Sequence, residues 1–323
     1  MYIIYNHFII FKGGETLKLF KNRGDIYIPK SSRKGNQAKL LYILLAATVV
    51  FTAVFVIFLS SRYSSVKDFF AVGEVSVTQN EIQEQELLPE ISGKTNFLII
   101  ETDSENTLIH YAFLIQADKS NKAYKVSALS PDTLINDKTL SDIYFASDGA
   151  ALQSEIMEYF GFDVDFYAVF DSASFIQFTN KLGSFVYNSY EDISFSGGGE
   201  DDKYTLRIKE GEQNISGREL SNLLRYYSSE THNYAAENEL VLLALSGLFN
   251  YDNFSSADQL YKLFVKSATT DITVREYENA KDALMVFTYL SNDITLYSSV
   301  AEYDENGALT QNATSDIKGY FSK

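Results

Sequence analysis

Twenty consecutive residues without a charge, Leu40 to Leu59, constrain this chain more than any other feature. A helix of that length rises about 30 Å, enough to cross the hydrocarbon core of a bilayer. A cleaved export signal has an apolar run of only about 7–15 residues. No small-x-small cleavage site follows here; the next residues are Ser60-Ser61-Arg62. No polar stripe interrupts the run, as it would in a helix half-buried in a soluble domain. The sequence therefore predicts one uncleaved transmembrane helix over 40–59.

Charge orients that helix. Residues 1–39 carry eight Lys or Arg and two acids, a net of +6, and the remainder holds 19 basic and 41 acidic residues, a net of −22. Positive residues stay inside. The expectation is a single-pass protein of the cell membrane, with a cytoplasmic tail (1–39) and an extracytoplasmic main part. So acidic a domain cannot neutralise phosphates along a duplex, which argues against nucleic acid as a partner. With no cysteine, disulfides and thiolate metal sites are excluded. The Gly13-Gly14-Glu15 run followed by Leu17 reads either as ordinary tail or as a translated ribosome-binding site ahead of an internal start.

Residues 60–93, rich in Ser, Gln, Glu and Val, read as a stalk ending at Pro89 and Gly93. The folded domain is expected from Lys94. Strands are expected at 97–101, 112–117, 124–129, 166–170, 185–188, 204–208 and 295–300, with helices at 148–160, 172–181 and 235–249. Three capping boxes, Ser216-x-x-Glu219, Ser256-x-x-Gln259 and Thr273-x-x-Glu276, mark further helix starts. The alternation gives an α/β fold, a mixed central sheet covered by helices. From Asp304 onward little signal remains.

Several short motifs occur in a telling order. Gly161-Phe-Asp-Val-Asp-Phe-Tyr-Ala-Val-Phe-Asp171 leads through a helical run to Lys181-Leu182-Gly183, then Glu191-Asp192-Ile193. Lys209-Glu-Gly-Glu-Gln-Asn-Ile-Ser-Gly217 follows, and then Arg225-Tyr226-Tyr227. This order resembles the LytR-CpsA-Psr (LCP) family of bacterial cell-envelope proteins. Recognisable motifs cover 94–250, with 251–323 as a helical C-terminal extension of the same domain.

The resemblance implies a Gram-positive source and a phosphotransferase. Family members move a glycopolymer from a polyprenyl-pyrophosphate carrier to a peptidoglycan hydroxyl. Such chemistry needs cations on the developing phosphate charge, a divalent metal and an apolar tunnel. By resemblance, Asp103 in Glu101-Thr102-Asp103-Ser104 and Asp132 in Ser130-Pro131-Asp132-Thr133 would hold Mg²⁺, and Arg225 would be the catalytic and phosphate-binding cation.

The other family arginines are missing. Their positions hold Glu105, Leu108, Pro131, Tyr227, Tyr234 and Glu237, and a family acid is replaced by His110. Lysines 119, 122 and 125 could supply charge only as flexible points. His110 and His232 stand too far apart in the sequence to read as a metal pair. Gly197-Gly198-Gly199 lacks the GK[ST] ending of a phosphate loop and reads as a surface loop. Phe166, Tyr167, Val169, Phe170, Phe175, Phe178, Leu220, Leu223 and Leu224 would line either a lipid tunnel or a plain core.

Two readings follow for whether this is an enzyme. One is an active transferase using Asp103, Asp132, Arg225 and Mg²⁺. The other, favoured by the lost arginines, is a pseudoenzyme that binds polyprenyl-phosphate lipid, cell-wall glycopolymer or a catalytic LCP relative. An envelope scaffold that binds no lipid is a third possibility.

Overall fold

The computed structural model describes residues 88–199 and 202–322. The expected cytoplasmic tail, spanning helix and most of the stalk lie outside the described residues. Among the described residues no helix is long and apolar enough to cross a membrane.

A six-stranded mixed sheet forms the centre. Its strands are β1 (Lys94–Thr102), β2 (Ile109–Asp118), β3 (Ala123–Leu129), β6 (Phe166–Asp171), β11 (Ala268–Thr270) and β12 (Thr295–Ser298), in the order β11-β6-β1-β2-β3-β12. The β1–β6 and β3–β12 pairs are parallel and the other pairs antiparallel. Three two-stranded ribbons surround it: β4 (Leu134–Ile135) with β5 (Lys138–Thr139), β7 (Phe185–Ser189) with β10 (Gly211–Ile215), and β8 (Ile193–Gly197) with β9 (Tyr204–Ile208).

Strand alternation sends residues to two separate cores. On one face Leu98, Ile100, Ala112, Leu114 and Leu129 meet α1 (Leu140–Ala146), α2 (Gly149–Phe160) and α9 (Gln311–Phe321). On the other, Tyr111, Phe113, Val126 and Ala128 meet α3 (Ser172–Leu182), α4 (Gly217–Arg225), α5 (Tyr234–Leu248) and α8 (Val274–Tyr289). Two further helices, α6 (Tyr251–Phe254) and α7 (Ala257–Ser267), join α5 to β11. The sheet is thus covered on both faces, as the alternating pattern implies.

Caps fix the helix starts. At α4 and α8 the capping boxes form as the sequence indicates, through Ser216 with Glu219 and Thr273 with Glu276. At α7 the third one does not: Ser256 makes no side-chain cap, and only its carbonyl serves the first turn.

The tail after Asp304 is the clearest departure from expectation. It forms α9, whose Ile317 and Phe321 are fully buried. Its buried Ala313, Ile317 and Phe321 recur at helical spacing, and polar groups of the sheet receive its end. Asn96 and Gln116 both donate to the Phe321 carbonyl (3.0 and 3.1 Å), while Lys94 and Lys125 donate to those of Ser322 and Tyr320 (3.0 and 3.1 Å). Three carbonyls at the end of α9 are thereby satisfied by side chains of β1, β2 and β3.

Candidate functional site

Strand β1 carries an acid where its apolar run meets the edge of the core. Glu101 follows Ile99 by two, so it points into the same core, and the register places it opposite Tyr111. A register shift between Glu101 and Thr102 ends the regular ladder there, as bulges often do beside a site. Glu101 is fully buried. The Tyr111 hydroxyl donates to Oε2, Ser172 donates to Oε1 at 2.8 Å, and Ser221 reaches both oxygens at 3.0 and 3.1 Å. Burial pushes its carboxyl up to about 7; these hydroxyls and Arg225 pull the other way and only partly offset it.

Arg225 closes α4, and a five-residue π-helical turn, Tyr226–Glu230, follows it directly. Its side chain is buried, 7% exposed, so its charge must be met inside the protein. Asp202 does this. Its carboxylate accepts from Nη2 of Arg225 and its backbone carbonyl accepts from the same nitrogen at 3.0 Å. The guanidinium also lies 4.3 Å from the centre of the Tyr204 ring, in cation–π geometry. Gly198 and Gly199 are exposed, as in a surface loop, while Asp202 beyond them folds onto the interior arginine. Gly198 permits this approach, since it has φ +87° and a side chain there would meet the Asp202 carbonyl at 2.0 Å.

His110 completes the cluster. Its Nε2 is 3.2 Å from Asp202 Oδ2, but off the line that a hydrogen bond needs. Burial first, and then Arg225, push its pKa down to about 3, so the imidazole is neutral and adds no positive field. Asp103 is committed elsewhere. Its Oδ1 accepts from the Thr107 and Leu108 amides at 2.6 and 2.9 Å, and its Oδ2 from the Thr107 hydroxyl at 2.7 Å. Burial raises the Asp103 carboxyl, and these donors outweigh it, leaving the pKa lowered. Asp103 therefore pins its own loop.

Asp132 stands apart. It is exposed in the turn after β3, near Tyr234, and it joins none of the Asp103, His110, Asp202 and Arg225 contacts. Among the described residues no group of three or more His, Asp or Glu side chains could hold a metal ion. Asp103 is held by donors of its own loop, and Asp132 is not among its partners.

The positions of the missing arginines have been filled. Tyr227 is buried, with its hydroxyl 2.9 Å from that of Tyr187. Tyr234 packs against Tyr303 at 5.3 Å between ring centres. Glu237 is fully buried and neither carboxyl oxygen has a hydrogen-bond partner among the described residues. Burial holds its pKa well above the usual range, so it sits in the core as a neutral acid. Of the expected tunnel residues, Leu220, Leu223 and Leu224 pack in the core with Tyr111 and Phe113. Lys125 reaches the opposite face of the sheet, at α9.

The LytR_cpsA_psr family model matches residues 72–301. The chain belongs to this family. Solved structures agree at the level of fold. A protein from Eubacterium siraeum described as a transcription regulator has a TM-score of 0.62 at 16% identity, covering 76% of this chain and 96% of its own. TagV of B. subtilis has a TM-score of 0.53 at 15% identity over 71% of this chain and 96% of its own. TagT, solved bound to LI-WTA, has a TM-score of 0.52 at 10% identity over 70% and 88%. No curated protein sequence matches.

Proposed function

We propose that this chain is a membrane-anchored, extracytoplasmic LCP protein that handles polyprenyl-(pyro)phosphate-linked glycopolymer in cell-envelope assembly with weak or no transfer chemistry. The contact that carries this reading is Asp202 on Arg225. A transferase needs its arginine free to meet charge that develops on phosphate, an effect worth about 10³–10⁵ in rate. Here the one buried cation of the cluster already has a carboxylate, and His110 beside it is neutral. Glu101 and Glu237, both raised by burial, supply no positive charge in its place.

Family membership and the TagV and TagT likeness support a glycopolymer as the ligand class, and the uncharged run 40–59 supports the anchor. Magnesium belongs to the alternative reading, an active transferase in which Asp103 and Asp132 would hold it. The test is extraction of lipid from the full chain purified out of its native membrane, followed by mass spectrometry. Co-purifying polyprenyl phosphate or glycopolymer is the expected result. Its absence, in wild type and in Arg225→Ala alike, would favour an envelope scaffold.

A further inference from the structure

On the face of the sheet opposite Arg225, a cavity of about 370 Å³ opens between β3, β12 and α9. It falls in the range of about 300–1,000 Å³ used by small-molecule sites. Its walls are Tyr297, Tyr320, Lys125, Asn121 and Asp118. Tyr297 lies on the edge strand directly beside Lys125 of β3, and 46% of it is exposed. Tyr320, from the last turn of α9, meets Tyr297 edge-on, with ring centres 6.5 Å apart and planes at 87°. Lys125 Nζ sits 5.1 Å from the centre of the Tyr320 ring and donates to the Tyr320 carbonyl. Across the opening, Asp118 accepts from the backbone and side-chain nitrogens of Asn121 at 3.1 and 2.9 Å.

Each class of ligand can be set against these walls. An anion would meet Asp118, and one ammonium hydrogen of Lys125 is already committed. A cation would face Lys125 and, close by, Lys94, which both act on Asp118. A wholly apolar ligand would cover Asn121 and Lys125 without replacing their water hydrogen bonds. What fits is a neutral ring with one C–H face and hydroxyls at its rim. Tyrosine suits the first, being a rigid, flat apolar body with a polar tip. Asn121 and Lys125 suit the second, since each has donor hydrogens beyond those already used. Asp118, itself 1% exposed, acts as a positioning residue that holds the Asn121 amide toward the opening.

We infer that the Tyr297–Tyr320 cavity is a saccharide subsite that takes one or two neutral pyranose rings of a polysaccharide. It is separate from the Arg225 cluster and stands on its own geometry, so its failure would leave the proposed function untouched.

The experiment is saturation-transfer NMR on the full chain in a sugar-free detergent, with chitotetraose, cellotetraose and a glycerol-phosphate oligomer as probes. Binding of at least one neutral tetrasaccharide is expected, with the strongest transfer to ring C–H protons. The two tetrasaccharides separate an N-acetylated source from a plain hexose one. Tyr297→Ala and Asn121→Ala are each expected to weaken binding about tenfold or more, while Tyr190→Ala, at an exposed tyrosine outside the cavity, leaves it unchanged. Tyr297 is on an exposed edge strand and Asn121 in an exposed turn, so both variants should fold. The inference is overturned if neither tetrasaccharide binds, if binding survives both substitutions, or if only the glycerol-phosphate oligomer binds.

Discussion

The Asp202 carboxylate lies against the Arg225 guanidinium, and the Tyr204 ring lies beneath that guanidinium at 4.3 Å. An arginine held in this way has a carboxylate on Nη2 and an aromatic face below, so an incoming phosphate would compete with Asp202 for its charge. Substituting Asp202→Asn removes the competing charge while keeping the backbone carbonyl contact. Affinity for inorganic pyrophosphate, followed by ³¹P NMR, is expected to rise about tenfold or more, as a charge-assisted bond of ~1.5–3 kcal/mol becomes available. Stability is expected to fall by about 2 kcal/mol, because the buried cation loses its partner. An unchanged affinity would show that Asp202 does not compete for the site.

Glu101 makes the stability of the domain depend on pH in an unusual direction. Its carboxyl rises from 4.5 to about 7 on folding. Below pH 4.5 it is protonated in both states, and the stabilisation is complete. Between 4.5 and 7 the folded protein holds a proton that the unfolded chain has lost, so stability declines as pH rises. Above 7 the loss is complete, on the order of 3 kcal/mol for a fully buried group. Glu237 acts in the same direction. His110, held at about 3, works the other way below 6.5, so the Glu101 effect is read against Glu101→Gln: the wild-type urea midpoint should fall relative to that of the variant between pH 5 and pH 8. A wild-type midpoint that does not fall relative to Glu101→Gln over this interval would contradict the burial argument.

Gly217 sets how closely α4 approaches α3. A side chain there would meet Thr179 Oγ1 at 2.2 Å, the Ile176 carbonyl at 2.8 Å and the Asn180 amide at 2.9 Å. Because two of these are backbone atoms, Gly217→Ala should push α4 outward and cost about 1–3 kcal/mol. Since α4 carries both Ser221 and Arg225, thermal unfolding and the tyrosine near-UV spectrum should change together. An alanine variant with wild-type melting would mean that the helices can part without strain.

The last helix depends on buried amides. Asn96 donates to the carbonyls of Asp163 and Phe321 and accepts from Gln116 at 2.8 Å. Asn96→Ala leaves the Asp163 carbonyl and the Gln116 amide each short of a partner, at a cost of about 2–3 kcal/mol. Hydrogen exchange in Gln311–Phe321 should accelerate well before exchange in β1 and β2. Uniform acceleration across the sheet would instead place α9 in the same cooperative unit as the strands.

The central strands were legible because β1, β2, β3 and β6 are apolar runs with β-branched or aromatic residues, and Gly161 and Gly183 end helices where the pattern stops. α9 was passed over although Ala313, Ile317 and Phe321 recur at i, i+4 and i+8, because the stripe is only three residues long and sits among Thr, Ser, Asp and Lys. Its place is fixed by Asn96 and Gln116, more than 200 residues earlier in the chain. Arg225 stood out by its motif. Glu101 had a signal that motif matching passes over: an acid two residues beyond Ile99 on a strand with both faces covered must be buried. Asp202 gave none, since nothing in a glycine-rich acidic loop states which arginine it will meet.

The most direct measurement is Mg²⁺-supplemented transfer of a labelled glycopolymer from a polyprenyl-pyrophosphate carrier to peptidoglycan. Wild type, Asp202→Asn and Arg225→Ala would be compared as full-length proteins. The wild-type rate is predicted to stay at the Arg225→Ala background. Wild-type turnover that Arg225→Ala abolishes would contradict the claim that Asp202 has taken this arginine out of phosphate chemistry.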